Sequence, residues 1–386
     1  MKRFLSPFLL TLTTIIVLGY AYIAWRLTDT AAARGLLLVP CLLVWLIPTV
    51  YWIGGRESTR RGDELLHAAA YLCAGWLNFL LLLTLLRDLV LGLAWLTGAQ
   101  ALAAVTQSAG VPVVFAASLA ALGIGALAAL RGPSLRQVSI PIDGLAPALE
   151  GFRIVQISDL HVGPTIGRRY VRHVVERSNA LQPDLIVLTG DIVDGSPARL
   201  GPHVAPLGGL RAAHGSVFIL GNHDCYSGAR RWIAQFRALG MRVLLNEHLL
   251  LRHGGAKVVV GGVVDPALQL SEPGAVPRAD LAAAPGEGEA LRILLAHNPA
   301  LTRLGAQAGF DLQLSGHTHA GQFFPWTLAV RMVHAPHVAG LSREGKMWVY
   351  VNAGTGSWGP PVRFGSRTEL TLIRLTRGPL TQQEAP

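Results

Sequence analysis

Four long apolar runs crowd the first third of the chain: Phe4 to Trp25, Leu36 to Ile53, Leu65 to Leu86 and Gly110 to Leu130. A helix needs roughly 20 such residues to cross a bilayer, so each run is long enough, or nearly so, to span one. Pro40 and Pro48 interrupt the second run, and Leu89 to Leu96 is too short to cross alone, extending the third helix or lying at the interface. Trp25, Trp45, Tyr51, Trp52 and Trp95 fall near the run ends, where aromatic rings favour the headgroup layer. The first run is too long for a signal-peptide core, and no clean small-x-small cleavage site follows it. The expected organisation is a membrane region over 1–130, a linker over 131–150, a soluble domain over 151–376 and a flexible tail over 377–386.

Composition agrees with that division. Hydrophobic residues make up 51% of the chain and charged residues 15%, against about 25% charged in ordinary soluble proteins. Apart from Arg87-Asp88, the runs hold few ionisable groups. A carrier or proton path would need charges inside, so the region reads as an anchor. With four spans, Lys2, Arg3, Arg56, Arg60, Arg61, Arg131 and Arg136 flank one side and Arg26, Arg34 and Arg87 the other. The positive-inside rule then puts the soluble domain in the cytoplasm of a multi-pass inner-membrane protein. The net charge of +10 is carried without any block of Lys/Arg beyond pairs such as Arg60-Arg61, Arg168-Arg169 and Arg230-Arg231, which argues against nucleic acid as a partner. Three cysteines, Cys41, Cys73 and Cys225, allow neither a disulfide framework nor zinc-type spacing.

From residue 131 the sequence changes grammar. Short apolar runs over Gln137–Ile142, Phe152–Ser158, Asp184–Thr189, Ser216–Leu220, Arg242–Leu245, Lys257–Val263, Leu291–Ala296, Asp311–Ser315, Trp348–Asn352 and Leu370–Leu375 read as strands. Helical patterns lie over Arg168–Leu181 and Ala229–Leu239, and 266–289 reads as a mobile loop rich in Pro, Gly, Ala and Glu. The alternation implies an α/β sandwich of sheets with helices outside.

Five of the strands end in turns of one chemical kind: Asp159-Leu160-His161, Gly190-Asp191, Gly221-Asn222-His223-Asp224, His297-Asn298 and Gly316-His317-Thr318-His319. In open α/β folds the crevice beyond the strand carboxyl ends takes the ligand, so these residues can converge. Alone, each turn is ordinary; Asn-His-Asp, for example, could be a helix cap. Together they would crowd carboxylates and imidazoles at a cost that a cation removes. Mixed oxygen and nitrogen donors suit Mn, Fe, Zn or Ni better than calcium. Seven ligands are too many for one ion and suit two, with Asp191 as the natural bridge.

The string D-L-H … G-D-I-V-D … G-N-H-D … A-H-N-P … G-H-T-H resembles the calcineurin-like metallophosphoesterase superfamily, closest to its membrane-associated bacterial branch, over about residues 150–376. The resemblance implies a four-layer α/β/β/α fold and two divalent ions. One would be held by Asp159, His161, Asp191 and His319, the other by Asp191, Asn222, His297 and His317. His223 would be the catalytic histidine, with Asp224 orienting it. It implies hydrolysis of a phosphodiester or diphosphate bond by a hydroxide held between the ions. The membrane region suggests membrane lipids as partners and a phosphorylated, lipid-linked substrate. Relatives tend to carry Arg-Pro-Glu where this chain has Arg367-Thr368-Glu369, a departure that touches no ligand. Two other readings are a catalytically silent metal-bound sensor or scaffold, which predicts degraded ligands, and a nuclease, which predicts a basic groove with stacking aromatics.

Overall fold

The computed structural model describes residues 7–53, 61–284 and 286–378. The chain divides into two compact units, one of Met1–Leu130 with Gly359–Phe364 and one of Arg131–Trp358 with Gly365–Pro386. Lys2, Arg3, Arg56 and Arg60, used in the orientation argument, lie outside the described residues, as does 379–386 of the expected tail.

Among its described residues the first unit has four α-helices, α1 (Pro7–Leu27), α2 (Ala31–Leu46), α3 (Arg61–Leu96) and α4 (Gln100–Leu130), with a π-helical turn over Ile47–Ile53. All four candidate spans are long and apolar enough to cross a membrane. Leu89–Leu96 continues α3. The Thr30 hydroxyl caps α2 by accepting from Ala33 N at 3.2 Å. Pro40 is accommodated inside α2, and the π-helical turn falls at Pro48, where the helix loses a backbone donor. Arg26 and Asp88 form a two-pronged ion pair at 2.6 and 2.7 Å that ties α1 to α3. In the same unit Val362 packs into the notches left by Gly75 and Gly125, and Arg363 N donates to the Gly125 carbonyl at 2.9 Å.

Among its described residues the second unit contains twelve strands in two six-stranded sheets. The first sheet has the order β1 (Ser134–Ile142), β12 (Glu369–Arg377), β2 (Arg153–Ile157), β3 (Leu185–Leu188), β4 (Ser216–Phe218), β5 (Arg242–Val243). The second has β10 (Gly340–Glu344), β11 (Met347–Val351), β9 (Leu312–Ser315), β8 (Leu291–Leu295), β7 (Ala256–Gly262), β6 (Glu247–His253). In the first sheet only β12–β2 is antiparallel; in the second, β6–β7 and β10–β11 are. The helices of this unit are α5 (Arg168–Ala180), α6 (Pro197–Val204), α7 (Asn222–Tyr226), α8 (Ala229–Ala238), α9 (Ala279–Ala282), α10 (Thr302–Gln307) and α11 (Trp326–His334).

Strand alternation builds the layers. Ile154, Leu185, Val187 and Val217 of the first sheet face Val258, Ile293, Leu312 and Tyr350 of the second in one shared core. Val155, Ile157, Ile186 and Phe218 face the other way, onto Val171 and Val174 of α5 and Trp232 and Phe236 of α8. Leu294, Val349 and Val351 meet Ala279 and Ala282 of α9 on the far side of the second sheet. The result is the α/β/β/α sandwich.

Two local expectations change and one is extended. The strand expected over Gln137–Ile142 in the 131–150 linker is β1, which starts earlier, at Ser134, and pairs along its nine residues with β12 at the sheet edge. The stretch 266–289 is not structureless: it holds a 3₁₀ turn at Pro266–Leu270, capped by the Asp265 carboxylate, and α9. Strand β6 went unseen because Glu247 to His253 shows no alternation; it forms by a hairpin onto β7 through Gly254-Gly255, both with positive φ.

Candidate metal centre

Every site residue expected from the sequence lies just beyond a strand's carboxyl end: Asp159 and His161 after β2, Asp191 after β3, Asn222, His223 and Asp224 in the short helix α7 after β4, His297 after β8, and His317 and His319 after β9. These turns are tightly wound. Asp159, His161, Asp191, His317 and His319 all adopt left-handed backbone conformations, with φ between 50° and 74°. For residues other than glycine that conformation costs of order 1–3 kcal/mol each, and such strain collects at functional sites. Two glycines give the room: a Cβ on Gly221 would overlap Asp191 Oδ1, and one on Gly316 would overlap Ser158 Oγ and Asp159 Oδ2.

The side chains converge in two clusters. In the first, His161 Nε2 lies 3.0 Å from His319 Nε2 and His319 Nε2 lies 3.3 Å from Asp159 Oδ1. In the second, Asn222 Oδ1 lies 3.2 Å from His297 Nε2 and 3.0 Å from His317 Nδ1. Asp191 Oδ2 stands between the clusters, 3.2 Å from His297 Nε2 and 3.8 Å from His161 Nε2. Backbone donors hold both carboxylates: His317 N gives a hydrogen bond to Asp159 Oδ1 at 2.9 Å and His223 N one to Asp191 Oδ1 at 2.7 Å.

A further layer sets the imidazoles. The Thr189 carbonyl accepts from His297 Nδ1 at 2.8 Å, which leaves Nε2 as the lone-pair nitrogen facing the cluster. Asp194 does the same for His161, at 3.0 Å from Nδ1. Its carboxylate also takes His223 Nδ1 at 2.8 Å. Asp194, the last residue of Gly-Asp-Ile-Val-Asp, went unassigned in the sequence, although the motif that carries it was in view.

The orienting role expected of Asp224 is corrected. Its buried carboxylate accepts from Asp191 N, Ile192 N, Val193 N and Gly221 N at 2.8–3.2 Å. Adjacent residues on a helix point about 100° apart, so on α7 the Asp224 side chain faces the backbone of the neighbouring turn and not the His223 ring. Two other groups border the site. The His334 ring of α11 meets His317 edge-on at 5.7 Å, and Trp358 meets His223 at 5.5 Å.

The electrostatics describe a place built for positive charge. Burial pushes the Asp159 carboxyl up. For Asp191, burial opposes ionisation, but His297, then His223 and His161, outweigh it and hold the group well below the usual carboxylate range. Burial pushes His317 down to about 3, helped by His297. For His223, burial works against the charged form, yet Asp194, with Asp191 and Asp224, raises it to about 9. Buried carboxylates balanced by imidazolium charge make a donor set in which a divalent cation would replace the ring protons.

Sequence comparison agrees with that chemistry. A family profile of calcineurin-like phosphoesterase matches residues 152–321. The chain is 36% identical over 267 residues to the bovine (Bos taurus) transmembrane protein with metallophosphoesterase domain, an alignment covering 66% of this chain and 60% of that protein. It is 34% identical over 248 residues to a metallophosphoesterase of Helicobacter pylori, covering 64% of this chain and 65% of the other. It is 32% identical over 237 residues to the metallophosphoesterase YkuE of Bacillus subtilis, covering 58% and 79%. The chain thus spans less than two thirds of the length of the first two relatives. Four apolar helices and relatives named as transmembrane indicate membrane association. The chain belongs to the calcineurin-like metallophosphoesterase family.

Proposed function

We propose that the protein hydrolyses a phosphodiester or diphosphate bond at the membrane, using two divalent cations, with Mn, Fe or Zn the best suited to the donors. The observation that carries this reading is the position of Asp191 Oδ2 between the two clusters, 3.2 Å from His297 and 3.8 Å from His161. Asp159, His161, Asp191 and His319 would hold one cation; Asp191, Asn222, His297 and His317 would hold the other. When bound, such a pair supplies Lewis-acid charge to the phosphoryl oxygens and lowers the pKa of water.

The protein's own residues do the rest. His223, kept protonated at neutral pH by Asp194, offers a proton or a hydrogen bond to the phosphoryl or leaving oxygen, a role worth typically 10²–10⁴-fold. Asp194 couples that imidazole to His161 through one carboxylate. Asp224 fixes the backbone of the Asp191 turn against the Gly221 turn. A His223–Asp194 pair in working geometry argues against a silent sensor.

The substrate class follows from the anchor: a chain with four candidate spans would meet its substrate at the bilayer, which favours a lipid-linked phosphodiester or diphosphate. The domain is placed on the cytoplasmic side of an inner membrane, in a multi-pass chain. A fluorescent-protein fusion to the C-terminus should glow on that side; a dark fusion of full length would refute the orientation. For the reaction, purified full-length protein is offered bis(p-nitrophenyl) phosphate, p-nitrophenyl phosphate, a lipid-linked nucleoside diphosphate and single-stranded DNA after loading with Mn. Turnover of the diester or the diphosphate supports the reading. Turnover of the monoester or DNA alone, or none at all in metal-loaded protein, refutes it.

A further inference from the structure

Helix α11 is amphipathic the wrong way round. In a soluble domain the apolar stripe of a helix faces the core. Successive residues of a helix step by about 100°, which puts Thr327, Val330 and His334 on one side of α11 and Leu328, Met332 and Val333 on the other. The first three are half-buried, with His334 reaching the His317 ring. The second three are 52%, 87% and 76% exposed, and Trp326 at the start of the helix is 55% exposed. No residue of α11 is fully buried. A continuous apolar face turned outward marks an interaction surface.

Beside it lies a basic groove of about 650 Å³ lined by Arg136, Arg331 and Arg367, with Ala320 and Ala353 also in its lining. Among the described residues no carboxylate forms an ion pair with any of these three arginines. Glu369 also lines the groove; its Oε1 accepts from Tyr350 Oη at 2.5 Å and from Thr371 Oγ1 at 2.6 Å. Ala320, on its lining, follows the site residue His319 in the chain. Arg136 comes only a few residues after Leu130, the end of the fourth apolar helix.

We propose that α11 is an interfacial helix: its Leu328, Met332 and Val333 face sinks into the surface of an anionic phospholipid bilayer while Arg136, Arg331 and Arg367 take headgroup phosphates. An outward apolar face flanked by arginines is the composition that seats a helix in the headgroup layer, and anionic lipid complements the three unpaired cations. The candidate spans of the same chain keep a bilayer within its reach. The proposal goes beyond the hydrolytic reading and does not depend on it, since it rests on the exposure and charge of one face.

The test uses the full chain with Cys41, Cys73 and Cys225 replaced by Ser and an environment-sensitive fluorophore on Met332→Cys. Arg172→Cys, on exposed α5, serves as the aqueous reference. The labelled protein is reconstituted into vesicles of phosphatidylcholine alone or of phosphatidylcholine and phosphatidylglycerol in equal parts. With phosphatidylglycerol present, the Met332→Cys label should be quenched by lipids carrying a shallow acyl-chain nitroxide and shielded several-fold from aqueous iodide relative to the reference. Adding Arg331→Glu and Arg367→Glu should abolish the phosphatidylglycerol dependence. A label as open to iodide as the reference and untouched by lipid nitroxide overturns the proposal. So does disulfide pairing of two Met332→Cys chains, which would give the face to a second copy. Insertion indifferent to phosphatidylglycerol removes the headgroup role of the groove.

Discussion

Asp194 Oδ1 lies 2.8 Å from His223 Nδ1 while the same carboxylate lies 3.0 Å from His161 Nδ1, so one half-buried acid sets two imidazoles. In the proposed reaction one of these rings would hold a cation and the other would serve the catalytic step.

Asp194→Asn should therefore produce two separable defects. Cation affinity should fall about 10–100-fold, the usual cost of losing an outer hydrogen bond to a metal-binding histidine. With saturating Mn, turnover should still be lowered, and the alkaline limb of the pH–rate profile should move from about 9 toward the ordinary histidine value near 6.5. The direction follows from the sign of the shift. The folded-state pKa of His223 is raised, so its protonated form, and the stability it contributes, is fully present below about 6.5 and is lost as pH rises through about 9. An unmoved alkaline limb would contradict the Asp194–His223 coupling.

Asp224→Ala should act on the fold more than on the chemistry. It strands four buried backbone N–H groups that now donate to one carboxylate. Removing one partner of such a buried charged network costs about 3–5 kcal/mol, read as a lower thermal midpoint of the purified protein in detergent. Wild-type stability with an altered pH–rate profile would restore Asp224 as the partner of His223.

Gly316→Ala places a methyl against Ser158 Oγ and Asp159 Oδ2. The β2 and β9 turns must part to admit it, and the Asp159 cluster opens with them. Cation binding should weaken, and thermal stability should fall by about 1–3 kcal/mol, the usual cost of overpacking. Unchanged metal content and midpoint would show that the two turns do not close on one another as described.

The sandwich was legible because its central strands are short apolar runs with sharp polar ends: β2, β3, β8 and β9 are each found within two residues of their expected bounds. The convergence of the turns was legible for the same reason, since a parallel strand delivers its following turn to a common edge. Asp194 was hidden because nothing in sequence distinguishes an acid that binds a cation from one that aligns an imidazole. The role of Asp224 was misread because adjacency in sequence suggests contact, whereas a helical step points neighbouring side chains apart. Helix α11 was missed because its apolar residues follow a Phe-Pro turn and face outward, a pattern with no core to explain it.

The central claim is that Asp191 joins two cation sites, and counting cations tests it most directly. Full-length protein purified after growth with Mn, Fe and Zn, and measured by elemental analysis, should carry two equivalents per folded chain. The Asp191→Asn variant, equally folded by its thermal transition, should lose both metal and phosphodiester turnover. A folded, metal-free and inert wild-type chain, or an Asp191→Asn variant that keeps its cations and its activity, would contradict the account.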